Sequence, residues 1–300
     1  MKPENRKNKK YNILIYIATL LGVVIAIIAC GYFSLDKIII PKKFGKYGIN
    51  NLNDLTNVFS SLYSLPKESD LIENGYSNDD LESGIEKLQN ANYKIEDNGT
   101  ILNENISSFK GDGNLALTDK EFAAVCNKLV KSGILTENLP HLNYINTMNI
   151  SVVDLVIKVD EESIDELTGL YSKANIKLII KIDTTDLCSQ IAVQMQTTEA
   201  LLKIIIPSTL YFTVNYEIDL SKENDNRTTG TIAINGKTEK QSEILINLLI
   251  EFIFPKEDEM TYDKFTKAIG DVALSGIDQL GSFNFSTNIE NTQQNGIIVK

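Results

Sequence analysis

Carboxylates are the only side chains in this sequence that are abundant enough to suggest catalysis. The chain has 40 Asp and Glu residues among 300, and several of them are clustered, at Asp79-Asp80, Glu161-Glu162, Asp183 with Asp186, and Glu257-Asp258-Glu259. Glycoside hydrolysis needs two carboxyl groups that face each other across the scissile bond. Carboxylates that are neighbours in a polar run do not face each other in this way, so we interpret these acids as parts of solvated surfaces. An enzyme that uses carboxylates alone remains the alternative.

Histidine and cysteine are too scarce for most metal or nucleophile sites. His141 is the single histidine, and the sequence has no Gly-rich phosphate loop, G-x-S-x-G motif or Cys-x-x-Cys motif. A calcium loop centred on Gly99 would have Lys94 and Asn105 where it needs acidic ligands. Cys126 and Cys188 are the only cysteines outside the apolar N-terminal segment. We therefore predict no catalytic residue, no metal and no cofactor.

A charge-free segment of 21 residues, 13–33, follows a basic N-terminus. About twenty apolar residues, each rising about 1.5 Å, cross the hydrocarbon core of a bilayer, so the segment predicts a transmembrane anchor. The first helix usually sets topology, which places residues 1–12 in the cytoplasm and the C-terminal domain outside a cell membrane crossed once. The alternative is a signal peptide cut before a lipidated Cys30, because residues 27–30 resemble a bacterial lipobox. Both interpretations tether the chain to the membrane.

Charge is distributed unevenly along the chain. The net charge is −11, and residues 1–46 contain nine Lys and Arg against two Asp and Glu, a balance of +7 that leaves −18 for the other 254 residues. An ectodomain this acidic repels other polyanions, so we expect no nucleic-acid partner. The basic segment 37–46 is explained by its position next to the membrane.

Apolar spacing divides the ectodomain into two blocks, of which the first is residues 47–112. Apolar residues recur every three or four positions over 50–66, which predicts an amphipathic helix, and a second helix is predicted over 78–90. An Asp-Asn-Gly turn at residues 97–99 predicts a hairpin after them. The first block is therefore expected to be a small helix-helix-hairpin module.

The second block, residues 113–300, has longer elements. Thr118 and Glu121 have the spacing of a capping box and open a helix. Apolar and polar residues alternate strictly over 210–220, and shorter runs show the same period, which is typical of antiparallel strands with one covered face. The predicted fold class is α+β, with an N-terminal transmembrane helix, the small module, and a long antiparallel sheet packed with helices.

The late helix predicted over 239–254 is too apolar for a surface position. Nine of the eleven residues from 244 to 254 are apolar, so the helix is enclosed or lines an apolar cavity. The apolar row of the 210–220 strand is expected opposite. The two surfaces either fill each other as a core or leave a groove for an acyl chain. The groove hypothesis assigns its lining to Leu248, Leu249, Phe252, Phe212, Val214 and Tyr216.

The order of elements carries a resemblance. A capped helix (LTDKEFAAVCNKLV), a long strand after a proline (IIIPSTLYFTVNYEIDL), a strand ending in ING (TIAINGKT), an apolar helix and a hairpin follow the anchor. This order resembles membrane-anchored ectodomains of Gram-positive bacteria, some of which are similar to tubular lipid-binding proteins. The resemblance covers residues 115–300 and rests on the order of elements. It implies a curved antiparallel sheet that wraps a long helix around an apolar groove.

Together, the anchor and the resemblance predict a non-enzymatic, membrane-tethered, extracytoplasmic module of the cell envelope. Its partners are expected to be the membrane, through residues 13–33, and a lipid, a lipid-linked envelope precursor or an envelope partner protein. The alternatives are the carboxylate enzyme and a purely structural scaffold.

We predict that protein extracted from membranes keeps residues 13–33, because a charge-free span of this length is stable in a bilayer. Intact-mass spectrometry measures this directly. A mature form that begins at a diacylated Cys30 would show that the anchor is a lipid instead.

We predict that Leu248→Trp blocks uptake of a fluorescent fatty acid with little loss of stability, because a groove has room for the larger side chain. Fluorescence titration and chemical unfolding measure the two effects. If the unmodified chain takes up no fatty acid and the substitution costs about 1–3 kcal/mol through overpacking, the groove hypothesis is wrong.

Overall fold

The computed structural model describes residues 34–95, 101–103, 115–131, 150–185, 207–223, 226–253, 261–267, 270 and 282–299. The chain divides into two compact units, one ending at Ser60 and the other beginning at Ser61. The predicted tail 1–12 and anchor 13–33 lie outside the described residues, as does the predicted boundary at 112. Among the helices that are described, none combines the length and apolar character that crossing a membrane requires.

The described part of the first unit is helical. A π-helical turn at Leu35–Ile39 continues into α1 (Ile40–Phe44) and a 3-10 turn at Gly45–Tyr47, and α2 (Leu52–Tyr63) begins after them. Asp36 accepts the N–H of Leu52 at 2.6 Å, which satisfies a free donor at the start of α2. That hydrogen bond, assisted by Lys37, lowers the pKa of Asp36. The helix predicted over 50–66 is confirmed with shorter bounds.

The described residues from Glu68 onward contain eleven strands and four α-helices with defined bounds. In chain order they are α3 (Glu68–Leu71), α4 (Asn78–Asn90), β1 (Tyr93–Ile95), β2 (Ile101–Asn103), β3 (Leu115–Thr118), α5 (Asp119–Lys131), β4 (Ile150–Val159), β5 (Ile164–Asp165), β6 (Leu170–Tyr171), β7 (Lys173–Asp183), β8 (Thr209–Asp219), β9 (Thr228–Ile234), α6 (Glu239–Ile253), β10 (Phe283–Ser286) and β11 (Gly296–Val299). Residues 262–267 and 270 are also helical.

The strands form antiparallel sheets. One sheet has four strands in the order β4-β7-β8-β9, a second has five in the order β3-β11-β10-β6-β5, and β1 pairs with β2 alone. The predicted α+β fold class with antiparallel sheets and several helices is therefore confirmed for the described residues. The predicted hairpin is confirmed as the β1-β2 pair, and α4 has the bounds expected for the second helix.

Capping explains where two of the helices begin. Ser77 accepts the N–H of Asp80, and the Asp80 carboxylate accepts the N–H of Ser77 at 2.7 Å, which starts α4. At α5 the same box forms between Thr118 and Glu121, with N–H to oxygen distances of 2.9 and 3.2 Å. The capping box predicted from the sequence is confirmed.

One face of the four-stranded sheet is covered, and it is called the covered face below. It carries Phe212, Val214 and Tyr216 of β8, together with Ile232 and Ile234 of β9. Val214 is 1% exposed and the two isoleucines are fully buried. The helix α6 packs against β9. This face forms part of the core of the second unit, because most of its apolar residues in β8 and β9 lose nearly all contact with water.

A glycine in β9 makes room for the ring of Tyr216 on the covered face. A Cβ atom on Gly230 would lie 2.3 Å from Cδ1 of that ring, which is closer than side chains can approach. The Tyr216 hydroxyl donates a hydrogen bond to the carbonyl of Thr266 in the following helical segment. The missing side chain at position 230 therefore lets Tyr216 link the sheet to residues 262–267.

Residues 66–76, called the strap below, run over one end of the opposite face of the sheet. Their anchor is Asp154, whose side chain lies at a bulge in β4 and is 1% exposed. The N–H groups of Glu73, Asn74 and Gly75 donate to the Asp154 carboxylate at 2.7, 3.4 and 3.0 Å. Several charge-assisted hydrogen bonds compensate the burial of this carboxylate, so the strap is held in one conformation.

We predict that Asp154→Asn lowers the free energy of unfolding by about 2–3 kcal/mol, because an amide nitrogen cannot accept the N–H groups of the strap. Urea unfolding measures the loss, and amide hydrogen exchange at Glu73 and Gly75 should accelerate. Asp160→Asn is the matched control, since asparagine caps a 3-10 turn as well as aspartate does. Equal losses in both variants would contradict the assignment.

Candidate functional site

A depression of about 350 Å³, most of whose lining residues are polar or charged, lies on the sheet face opposite the covered face. It is called the trough. Strands β4, β7, β8 and β9 all contribute to it. The side chains on this face that line it are Val156, Lys158, Asn175, Lys177, Asn215, Glu217, Thr229 and Thr231.

The register of the four strands assembles these residues into two rows. Lys158 pairs with Asn175, Asn175 with Glu217, and Glu217 with Thr229. The second row runs from Val156 through Lys177 and Asn215 to Thr231. Since side chains two residues apart in a strand share a face, and directly paired residues are neighbours, both rows project from the same side of the sheet.

The strap contacts two lysines of the trough through ion pairs. The Glu73 carboxylate lies 2.8 Å from Nζ of Lys177 and 3.2 Å from Nζ of Lys158. Hydrogen bonds from these two lysines lower the pKa of Glu73. The charges of both lysines are thus partly neutralised by the strap.

Five side chains in the trough are left without a partner in the described part of the chain. They are Asn175, Asn215, Glu217, Thr229 and Thr231. None of them makes a side-chain hydrogen bond or an ion pair with another described residue, and all are exposed or half-buried. These groups can exchange their hydrogen bonds with water for hydrogen bonds to a ligand without breaking any contact that holds the fold.

The carboxylates with shifted pKa values near this sheet are committed to structural contacts. Hydrogen bonds from Lys181 and from the hydroxyl of Tyr211 lower the pKa of Glu68. The Ser221 hydroxyl, with Lys173 nearby, lowers the pKa of Asp219 to about 2. Carboxylates with lowered pKa values stay ionised near neutral pH, so they are poor general acids. Burial also raises the pKa of the Cys126 thiol to about 12, which makes it a poor nucleophile.

A second group of charged residues joins α4 to α5. Glu121 is 5% exposed and accepts hydrogen bonds from Ser83 at 2.6 Å and from Lys87 at 2.8 Å. Burial raises the pKa of the neighbouring Asp119, whose carboxylate accepts a hydrogen bond from the Asn74 side chain at 2.6 Å. These groups satisfy one another away from solvent, so they stabilise the packing of the helices. No group of three potential metal ligands occurs among the described residues.

Of the residues predicted to line an apolar groove, Phe212, Val214 and Tyr216 belong to the covered face of the sheet, and Tyr216 also borders the trough. Val214 and Tyr216 are buried on the covered face, and Phe212 is half-buried there. Leu248, Leu249 and Phe252 belong to α6, but their side chains lie outside the described part of the chain. The groove hypothesis stays a prediction.

Sequence reasoning missed the trough although one signal for it was present. The same alternation that placed Phe212, Val214 and Tyr216 on one face placed Asn215 and Glu217 on the other. A polar face on an antiparallel strand usually faces water, so alternation alone does not distinguish a binding surface from a solvated one. The contribution of Lys177 and the strap depends on contacts between distant residues.

The chain was compared with protein-family models, with curated proteins and with solved structures. No family model, curated protein or solved structure matches it.

Proposed function

We propose that this chain is a membrane-tethered, extracytoplasmic, non-enzymatic module that binds a partner protein of the cell envelope. The tether is the predicted span 13–33, with residues 1–12 in the cytoplasm. The observation that carries the proposal is the trough, in which polar side chains from three of its four strands project from the sheet with no described partner of their own. A partner protein can bind these side chains through hydrogen bonds of the kind that protein interfaces contain.

A polar partner fits the trough better than a lipid-linked precursor does. The trough and the strand residues predicted to line the groove belong to opposite faces of one sheet, and Ile232 on the covered face is fully buried. A lipid-linked precursor with its head group in the trough could not reach the predicted groove through the sheet. The two sites would therefore serve different ligands.

The charge of the ectodomain indicates which partner it attracts. Residues 47–300 carry a net charge of −18, and Glu217 is an exposed carboxylate in the trough without a described cation beside it. Complementary charge steers association and disfavours wrong partners. The expected partner therefore presents a basic surface. Because the tether holds the module at the membrane, the partner is expected there too.

The proposal is tested by site-specific photo-crosslinking in intact cells of the source organism. A photoreactive phenylalanine derivative replaces Thr229 in the trough, and the full chain is expressed at its normal level. We expect illumination to produce a covalent adduct with another protein. The second substitution Glu217→Lys should lower the yield of this adduct about tenfold or more, because it places like charges opposite each other.

Two comparisons decide the result. The same photoreactive residue at position 78, which is exposed at the start of α4, is the matched control and should give no such adduct. If the trough position gives no protein adduct, or if both positions give the same adducts, the proposed function is wrong.

A further inference from the structure

We infer that the trough binds its partner through an extended peptide segment that carries a basic side chain. This inference rests on the proposed function and specifies the chemistry of the ligand. Three observations carry it: the spacing of two asparagines, the carboxylate of Glu217, which has no ion-pair partner in the described ranges, and the hydrogen bonds that occupy the sheet edges.

The spacing of Asn175 and Asn215 matches the repeat of an extended chain. Asn175 pairs directly with Glu217, so Asn215 is its diagonal neighbour on the same face. Diagonal neighbours in an antiparallel pair are about 7–8 Å apart. An extended peptide presents equivalent groups on one side every second residue, or about every 6.6–6.8 Å. Two alternate peptide groups of a ligand can therefore meet the two side-chain amides together.

Each asparagine offers the complement of a peptide group. Its side-chain oxygen accepts a hydrogen bond from an N–H, and its NH₂ group donates one to a carbonyl. Thr229 and Thr231 lie in β9, next to the strand that carries Asn215, and pair with Glu217 and Asn215. Their hydroxyls both donate and accept. Backbone recognition of this kind does not depend on the ligand's side chains, so it selects an extended conformation of the ligand and not a particular sequence.

Glu217 supplies the preference for charge. The two lysines of the trough already have Glu73 as a partner, whereas Glu217 makes no ion pair with any residue in the described ranges. Glu217 also lies in the same row as Asn175, directly opposite it. A peptide held by the asparagines would thus bring one of its side chains to Glu217. A lysine or arginine at that point forms the missing ion pair.

The sheet edges oppose the usual way of binding an extended peptide. Strand addition needs free N–H and carbonyl groups along an edge strand. At the β9 edge, the N–H of Ile232 donates to the Tyr262 hydroxyl at 2.9 Å and that of Ile234 donates to Ser242 at 3.0 Å. At the β4 edge, Val152 is bonded through its N–H to Asn127 and through its carbonyl to Tyr76. The open face is therefore the accessible surface.

The experiment selects binders from a random peptide library displayed on phage, using the full chain in lipid nanodiscs as the target. We expect the selected peptides to be enriched in lysine or arginine at one position and depleted of proline beside it, since proline removes an N–H and disfavours pairing. The probe for affinity measurements is then one selected peptide in synthetic form, alongside the same peptide with alternate N–H groups methylated.

Variants of the trough identify the binding mode. Asn175→Ala and Asn215→Ala should each weaken binding of the synthetic peptide about three- to tenfold, the loss expected for a hydrogen bond. Methylation of the peptide should have a similar or larger effect. Glu217→Lys should change the selection from basic to acidic peptides. Asn78→Ala, which removes an exposed asparagine at the start of α4, is the matched control and should leave affinity unchanged.

The outcomes separate this inference from the proposed function. The inference is overturned if no peptide is enriched, or if enriched peptides bind the Asn175→Ala and Asn215→Ala variants as tightly as the unmodified chain. A specific protein adduct from position 229 together with no enriched peptide would mean that a folded partner surface binds the trough. Loss of both the adduct and the peptides would overturn the proposed function as well.

Discussion

The pairing of β7 with β8 is the constraint on which most of the second unit depends. Each of these strands has eleven residues, and they pair along their whole length from Lys173 and Asp219 to Asp183 and Thr209. Because side chains alternate between faces, a slip of one residue would move Val214 and Tyr216 away from the core and Asn215 and Glu217 into it. The register of this pair thus determines which residues form the covered face and which line the trough. The position of Asn215 next to Lys177 follows from the same pairing that buries Val214.

The strap adds a second constraint, which is electrostatic. A carboxylate buried at the bulge of β4 accepts three N–H groups of the strap, and two glutamates of the strap reach lysines on the sheet. Glu68 lies 2.8 Å from Nζ of Lys181 and accepts the Tyr211 hydroxyl at 2.6 Å. The exposed ion pairs are worth little individually, whereas the buried carboxylate cannot lose its donors without a large penalty. Asp154 therefore positions the strap, and the surface lysines orient its side chains around the trough.

This arrangement separates stability from recognition. The apolar residues that stabilise the sheet lie on one face, and the groups proposed to bind a partner lie on the other. Changes in the trough can alter specificity with little effect on the core, because exposed side chains contribute little to stability.

Local patterns in the sequence are sufficient to predict several of the elements and their character. Alternation over 210–220 predicted β8, the spacing of Thr118 and Glu121 predicted the start of α5, and the apolar run after residue 239 predicted α6. These signals are readable because they depend on residues that are close together in the chain. The length of the charge-free segment 13–33 predicted a tether in the same way.

The places where the polar groups meet depend on contacts that form only in the folded chain. Glu73 and Asp154 are 81 residues apart, and Glu73 and Lys177 are 104 residues apart, so no local sequence pattern predicts either contact. Nor does alternation indicate which polar face is left open, since that depends on where the strap crosses the sheet. The trough exists because four strands share one register and a buried carboxylate holds the strap to one side, and both conditions arise from contacts between distant parts of the chain.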